Sequence, residues 1–243
     1  MRERNALAQR LVERSVAFRD GLEALRFRRP VAFVYDPLVY AFEPHARYLE
    51  RYASRPKRVL FVGMNPGPYG MVQTGVPFGE VAAVRDWLGI EGPVERPANP
   101  HPKRPVQGFA CTRSEVSGRR LWGLFADRYG DAEAFFREHF VANYCPLAFF
   151  DPEGRNLTPD RLAARDREAL SELCDATLGD FARTLGVDWL VGIGTFAATR
   201  ARAVAEGLGL RAGQILHPSP ASPAANRDFA GTATRQLEAL GLW

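Results

Sequence analysis

The sequence predicts a single α/β domain of three layers, in which a parallel β-sheet lies between helices. Two observations indicate this class: four short apolar runs are typical of buried strands, and longer segments with leucine at helical spacing separate them. The chain has no internal repeat, low-complexity tract or linker, so we expect one domain over residues 1–243. The predicted strands are residues 59–62, 140–145, 189–193 and 214–216.

Helical periodicity places helices before, between and after these strands. One helix has an additional start signal, because Thr158 is a good N-cap and Pro159 is tolerated at the first helical position. The exposed N–H groups of that start, with Arg155 beside them, form a potential phosphate site. The predicted helices are residues 4–27, 44–54, 80–88, 119–129, 131–139, 158–178, 195–206 and 224–240.

Composition excludes several classes of protein. Apolar residues make up 46% of the chain, yet no run approaches the ~20 apolar residues of a membrane span, and the charged first residues are unlike a secretion signal. The three cysteines are widely separated and form no C-x-x-C pair, which argues against a disulfide framework, a zinc site or an iron–sulfur cluster. We therefore expect a soluble intracellular protein without metal or cofactor.

The basic residues are almost all arginine. The net charge is +4, and only Lys57 and Lys103 are lysines among the 32 basic residues. Arginine suits bidentate contacts with phosphate, but a GC-rich genome gives the same bias, so both explanations stay open. The irregular segment 91–120 carries many of these charges, and it can be either a solvated excursion or a loop that lies along a phosphate backbone.

A glycine- and proline-rich turn follows the first predicted strand and suits the close approach of a ligand. It contains neither a dinucleotide fingerprint nor a P-loop lysine. Asn65 stands in this turn, and Asn143 and His217 stand at the carboxyl ends of two other predicted strands. Because ligands bind at that edge of open α/β sheets, we expect the three side chains to meet there.

Five segments carry a family resemblance, and they span more than two thirds of the chain. The most specific of them contain GMNPG at residues 63–67 and HPSP at residues 217–220. Through these segments the sequence resembles the single-strand-selective monofunctional uracil-DNA glycosylase family. The segments are GMNPGPYGMVQTGVPFGE (63–80), SEVSGRRLWG (114–123), NYCPL (143–147), GRNLTP (154–159) and HPSPASPAANR (217–227).

The resemblance implies the uracil-DNA glycosylase fold, with a four-stranded parallel sheet, and cleavage of the N-glycosidic bond of uracil in DNA. Asn65 is implied to position the attacking water and His217 to stabilise the departing base. Asn143 is implied to read the edge of uracil and Phe78 to stack on its ring. The remaining implied pocket residues are Met64 and Gly67.

The resemblance also implies how single- or double-stranded DNA is held, with no membrane partner. Phosphate contacts are expected from Ser117, Arg119, Arg155, Asn156, Thr158 and Ser219. The proline-rich loop from Pro218 to Ala225, which includes Pro220, Ala221 and Ser222, is expected to wedge into the space that the base leaves. Ala221 stands where some relatives carry a large basic side chain, so single strands or mismatches are expected to be better substrates. We expect a monomer that is cytoplasmic and associated with the nucleoid in a bacterium, or nuclear in a eukaryote.

Bond cleavage of this kind makes chemical sense with these residues. Water that is oriented by an amide can attack an already electrophilic sugar carbon, although Asn65 cannot take its proton. Neither lysine is placed for a Schiff base, which agrees with base removal without strand cleavage. Uracils substituted at C5, such as 5-hydroxymethyluracil, are expected substrates because Gly67 leaves room.

Three alternative functions stay open: a module that binds damaged bases without cutting, a glycosylase of the same fold for deaminated purines, and a nucleotide- or phosphoester-processing enzyme.

Overall fold

The computed structural model of the protein describes residues 2–243, with side chains from Ala6 onward. The helices are α1 (Arg2–Glu23), α2 (Pro37–Tyr40), α3 (Phe42–Tyr52), α4 (Met71–Thr74), α5 (Val116–Tyr129), α6 (Ala132–Phe135), α7 (Ala164–Leu185), α8 (Thr195–Leu208) and α9 (Pro223–Ala239). The strands are β1 (Phe33–Tyr35), β2 (Val59–Gly63), β3 (His139–Asn143), β4 (Ala148–Phe150), β5 (Asn156–Leu157), β6 (Trp189–Ile193) and β7 (Arg211–Ile215).

The central sheet has four parallel strands in the order β3-β2-β6-β7, which confirms the predicted fold class. Strand β2 is buried along its whole length because it lies between two neighbouring strands and under helices on both faces. Its last residue, Gly63, pairs with Asn143 at the end of β3. The carboxyl ends of the strands therefore share one edge of the sheet.

Two groups of helices flank this sheet. Helix α1 packs against α3 and α7, and α5 packs against α6 and α9. Buried side chains from both groups join the strands in one hydrophobic core. None of the helices in residues 2–243 is both long enough and apolar enough to cross a bilayer.

A second sheet was not predicted. Strands β1, β4 and β5 form a small antiparallel sheet, and with two or three residues each they are too short to show a period in the sequence. The proline-rich segment 91–120 packs on this sheet, where the Tyr35 hydroxyl donates to the carbonyl of Arg104 and accepts from the backbone N–H of His101. The interpretation of this segment as a solvated excursion is therefore wrong at His101. This residue is buried, and its ring nitrogen lies 3.0 Å from the carbonyl oxygen of Pro152.

The predicted helix start at Thr158 is also wrong. A single 3₁₀ turn occupies Pro159–Arg161, and the Thr158 side chain makes no capping hydrogen bond. Extended backbone at Leu162 and Ala163 then interrupts the chain before α7 begins at Ala164. The phosphate site expected beside Arg155 required a helix that begins at Thr158, and no α-helix begins there. The predicted helix 131–139 is shorter than expected, because α6 ends at Phe135 and His139 already belongs to β3. The predicted helix 80–88 contains a π-helical turn at Ala83–Trp87.

Candidate active site

A cleft of about 490 Å³ opens at the carboxyl edge of the central sheet. Asn65, Asn143 and His217 all line it, although they are far apart in the chain. The other side chains and backbone groups along the cleft belong to Met64, Pro66, Gly67, Pro68, Tyr69, Met71, Phe78, Arg113, Ser114, Glu115, Val116, Ser117, Asn156, Thr158, Ser219 and Pro220.

The carboxamide of Asn65 is oriented by a backbone carbonyl. Asn65 lies two residues beyond β2, and its Nδ2 donates to the carbonyl oxygen of Leu147 at 3.2 Å. A carbonyl oxygen only accepts, so the NH₂ group must face Leu147. The amide oxygen of Asn65 is thereby left as the acceptor for a cleft ligand.

The imidazole of His217 is oriented by the turn that follows it. The backbone N–H of Ser219 donates to Nδ1 of His217 at 3.1 Å, so the proton of the neutral ring resides on Nε2. Burial lowers the pKa of His217 below its usual value, which favours the neutral ring at neutral pH. The side chain is therefore a neutral hydrogen-bond donor through Nε2.

Asn143 ends β3 and is partly buried in the cleft wall. Its Nδ2 lies 3.3 Å from the sulfur of Met71. Its amide oxygen lies over Gly63, where an added Cβ would come within 2.4 Å of that oxygen. Glycine at the end of β2 is thus required for the Asn143 amide to occupy this position.

The ring of Phe78 closes one side of the cleft. Its centroid lies 6.3 Å from that of the His217 ring, and a Cβ on Gly63 would come within 2.5 Å of the Phe78 ring. Phe78 adopts a positive φ of 52°, which is unusual for a bulky residue. The indole N–H of Trp122 and the backbone N–H of Glu80 both donate to its carbonyl and hold this conformation.

Sequence reasoning missed the carboxyl group of Glu115. This residue caps α5 by accepting from the backbone N–H of Gly118, and its oxygens stand where side chains at Gly67 and Gly70 would otherwise lie. Burial, with a smaller contribution from Glu80, raises the pKa of Glu115 to about 7. Glutamate is not among the preferred N-cap residues, and no pattern in the sequence places it against the glycine-rich turn.

The segment after His217 is held by hydrogen bonds that the sequence did not reveal. Arg120 donates to the carbonyl of Pro218 and to the side chain of Asn226, and Asn226 donates in turn to the carbonyl of Pro220. Ser222 caps α9 through the backbone N–H of Ala225. Arg120 therefore fixes the expected wedge, a role different from the phosphate contact that its loop suggested.

The predicted DNA-binding residues fall into two groups. Ser117, Asn156, Thr158, Ser219 and Pro220 line the cleft, whereas Arg119, Arg155, Ala221 and Ser222 lie outside its lining. Arg155 is paired with Asp151 at 2.6 Å and with Glu153 at 3.1 Å, so two carboxylates compete with any phosphate for it. Arg113 lines the cleft and stacks on the Tyr69 ring, with 4.2 Å between its Cζ and the ring centroid.

The described part of the chain has no cluster of side chains that could bind a metal ion. No group of three or more histidine, cysteine, aspartate or glutamate side chains lies together within residues 2–243 as a metal ion would require. Cys111, Cys145 and Cys174 are buried free thiols.

Comparison with known proteins gives close sequence relatives, although no family model matches the chain. It is 50% identical over 239 residues to a single-strand selective monofunctional uracil DNA glycosylase of Mus musculus, covering 98% of this chain and 86% of the relative. Proteins of the same name from Bos taurus and Rattus norvegicus are 49% and 50% identical over 98% of the chain, with 88% and 86% of their own lengths covered.

One solved structure shares the fold at much lower sequence identity. The crystal structure of wild-type SMUG2 from Pedobacter heparinus matches with a TM-score of 0.66 over 95% of this chain and 97% of that chain. The two sequences are 17% identical, so this likeness concerns the fold.

Proposed function

The chain belongs to the single-strand selective monofunctional uracil-DNA glycosylase family, and from this premise we propose that it hydrolyses the N-glycosidic bond of uracil in DNA. The reaction leaves an abasic site without strand cleavage and belongs to base excision repair. The observation that carries the proposal is the shared cleft of Asn65, Asn143 and His217, in which a fixed neighbour orients each polar group.

Asn65 orients the attacking water in this proposal. Cleavage of the glycosidic bond builds positive charge on the sugar, so the water needs a position more than it needs a strong base. Leu147 holds the NH₂ group of Asn65, and the amide oxygen is left to accept a hydrogen bond from the water. Since an amide cannot take the proton, the enzyme is slower than one with aspartate at this position.

His217 stabilises the departing base. As the bond breaks, negative charge collects on the base, and the Nε2–H of His217 donates to the oxygen that carries it. The donor is neutral and preorganised because Ser219 occupies Nδ1 and burial lowers the pKa of the ring. A preorganised donor of this kind contributes about 3–4 kcal/mol to the transition state.

Phe78 and Asn143 recognise the extruded base. Taking a base out of the stack costs a few kcal/mol, and stacking on the Phe78 ring recovers about 1–3 kcal/mol of this. The amide oxygen of Asn143 accepts from N3–H of uracil, and its NH₂ group donates to O4. Cytosine presents the reverse pattern and leaves buried groups unpaired.

Uracils that carry a polar C5 substituent, such as 5-hydroxymethyluracil, are further proposed substrates. Met64 and Gly67 line the pocket, and the space beside Gly67 is not empty, because a Cβ there would come within 2.8 Å of Glu115 Oε1. The support for this substrate class is therefore a polar carboxyl beside the pocket rather than the absence of a side chain alone. A hydroxyl at C5 finds a hydrogen-bonding partner in such a wall.

DNA lies across the mouth of the cleft in this proposal. Ser117, Asn156, Thr158 and Ser219 offer polar groups to the phosphates, and Pro220 begins the wedge. Ala221 is exposed and small, which supports better use of single strands or mismatches than of a fully paired duplex. We propose that the protein acts as a monomer on both single- and double-stranded DNA.

An oligonucleotide panel tests the proposed function. Single- and double-stranded oligonucleotides with uracil, 5-hydroxymethyluracil, hypoxanthine or cytosine are incubated with excess protein and then treated with hot alkali, which breaks the strand at abasic sites. We expect cleavage at uracil and 5-hydroxymethyluracil only after alkali, and none at cytosine. Binding of uracil DNA without cleavage indicates a damage-binding module, and cleavage at hypoxanthine alone indicates a purine glycosylase; either result contradicts the proposal.

A further inference from the structure

The side chain of Asn143 has one hydrogen-bonding partner within the described residues, and that partner is a thioether. Asn143 Nδ2 lies 3.3 Å from Sδ of Met71. Met71 is the first residue of α4, is 2% exposed and also lines the cleft. Its sulfur is therefore shielded from bulk water and directed at the amide that faces the base.

A thioether sulfur accepts hydrogen bonds and cannot donate them. The end of the Asn143 amide that faces Met71 must therefore be the NH₂ group, because the opposite flip sets the lone pairs of oxygen and sulfur against each other. The amide oxygen then lies over Gly63, where the missing Cβ leaves space for it. The acceptor sulfur of Met71 therefore selects a single orientation of the amide, and Gly63 leaves the space that the amide needs.

This orientation decides which pyrimidine edge the amide can read. One N–H of the NH₂ group is used by Met71, and the second N–H and the amide oxygen remain for the base. They match O4 and N3–H of uracil, whereas a rotation by 180° about χ2 matches cytosine. We propose that Met71 is a specificity-determining positioning residue that holds Asn143 in the flip that reads uracil. This inference rests on the role of Asn143 in the proposed function.

The test is a double-mutant cycle between Met71 and Asn143. Met71→Leu keeps the volume of the side chain and removes the acceptor. We expect kcat/KM for a single-stranded uracil oligonucleotide to fall roughly 2- to 10-fold, the equivalent of one hydrogen bond, and the ratio of uracil to cytosine cleavage to fall with it. In an Asn143→Ala background, Met71→Leu should cause no further loss, because no amide remains to be oriented.

A direct readout separates positioning from packing. The two side-chain N–H resonances of ¹⁵N-labelled Asn143 should shift in Met71→Leu, while the unfolding temperature stays close to that of the wild type. If leucine disturbs the fold, norleucine in a Met64→Leu background replaces the sulfur by a methylene in an otherwise identical side chain. The same loss of discrimination is expected there relative to that background with methionine.

Two results overturn the inference. One is a Met71→Leu enzyme that cleaves uracil at the wild-type rate and still rejects cytosine, while Asn143→Ala is impaired; this leaves the proposed function intact. The other is an equal loss from Met71→Leu with and without the Asn143 amide, which indicates a packing role. Full activity of Asn143→Ala removes the proposed role of Asn143 as well, so the two failures are distinguishable.

Discussion

A histidine stands at each end of the parallel sheet, and one faces an open cleft while the other is packed in the core. His217 follows β7 at the carboxyl end, lines the cleft and has Nε2 left for a ligand. His139 begins β3 at the amino end, where its ring stacks on that of Phe135 at 5.1 Å and is 2% exposed. Burial lowers the pKa of both rings, that of His139 to about 4. A shifted pKa therefore does not by itself distinguish a functional histidine from a structural one.

Lys57 is a second buried titratable residue at the amino end of the sheet. Its side chain is buried, its ammonium group donates to the carbonyl of Phe136, and burial lowers its pKa to about 8. Such a group resembles a nucleophilic lysine, but it lies at the end of the sheet opposite the cleft. A polar cleft of about 350 Å³ opens beside Lys57 as well. What separates the two ends is therefore the lining, because the cleft at the carboxyl end brings Asn65, Asn143 and His217 together.

The largest expected effect is at the carboxyl end. His217→Ala should lower kcat by about 10²- to 10³-fold because the donor to the departing base is lost, and Asn65→Ala should lower it comparably because the water is no longer oriented. Single-turnover cleavage of a uracil oligonucleotide measures both. Full activity of either variant means that the chemistry lies elsewhere.

His139→Gln is the matched control at the amino end. We expect it to lower the free energy of unfolding by roughly 1–3 kcal/mol through lost packing while kcat of the folded enzyme stays the same. A large loss of kcat with unchanged stability contradicts the distinction between the two ends. Urea denaturation and the same cleavage assay separate these outcomes.

The next effect concerns the glycine that ends β2. Gly63→Ala places a methyl group within 2.4 Å of the Asn143 amide oxygen and 2.5 Å of the Phe78 ring, so both must move. Displacement of this size costs on the order of 10²-fold in rate. Gly123→Ala is the control, since nothing lies within 4 Å of its added Cβ in α5, and it should keep full activity with slightly raised stability. Equal activity of both variants indicates that the positions of the Asn143 amide and the Phe78 ring do not control the rate.

The smallest expected effect is a pH-dependent change of stability at Glu115. Because its pKa is raised to about 7 in the folded protein, the stability linked to its proton is complete below pH 4.5 and is lost as the pH rises through 7. Glu115→Gln keeps the acceptor for Gly118 N–H and does not ionise. At pH 8 the variant should be more stable than the wild type by roughly 1–3 kcal/mol, and at pH 4.5 the two should be nearly equal.

Urea denaturation at the two pH values measures this difference. Buried His45 also titrates, but it is common to both proteins and cancels in the comparison. Glu80 interacts with Glu115, so its effect is part of the measured difference. A difference that does not change with pH means that the carboxyl ionises normally. The same variant also reports on the pocket, because a carboxyl that contacts a C5 hydroxymethyl group should affect that substrate more than uracil.

The central strands and the polar residues at their carboxyl ends could be expected from the sequence, whereas the order of the strands in the sheet was not predicted. Runs such as Val59 to Val62 are long enough to show that they are buried, and parallel strands bring their carboxyl ends to one edge. The antiparallel sheet and the early start of α5 could not be expected in this way. Strands of two or three residues carry no period, and the cap at Glu115 is recognisable only once α5 is folded.

Local periodicity and residue type were enough to predict the class of fold and the place of Asn65, Asn143 and His217 at the strand ends, and the resemblance to the glycosylase family rests on motifs that can be read in the chain. How those side chains are oriented depends on contacts that form only in the folded protein. Leu147, Met71 and Ser219 supply the partners, and for Asn65 and Asn143 those partners come from other elements. A hydrogen bond between residues distant in the chain has no signature in either residue's neighbourhood, so the direction of an amide appears only when the chain has folded.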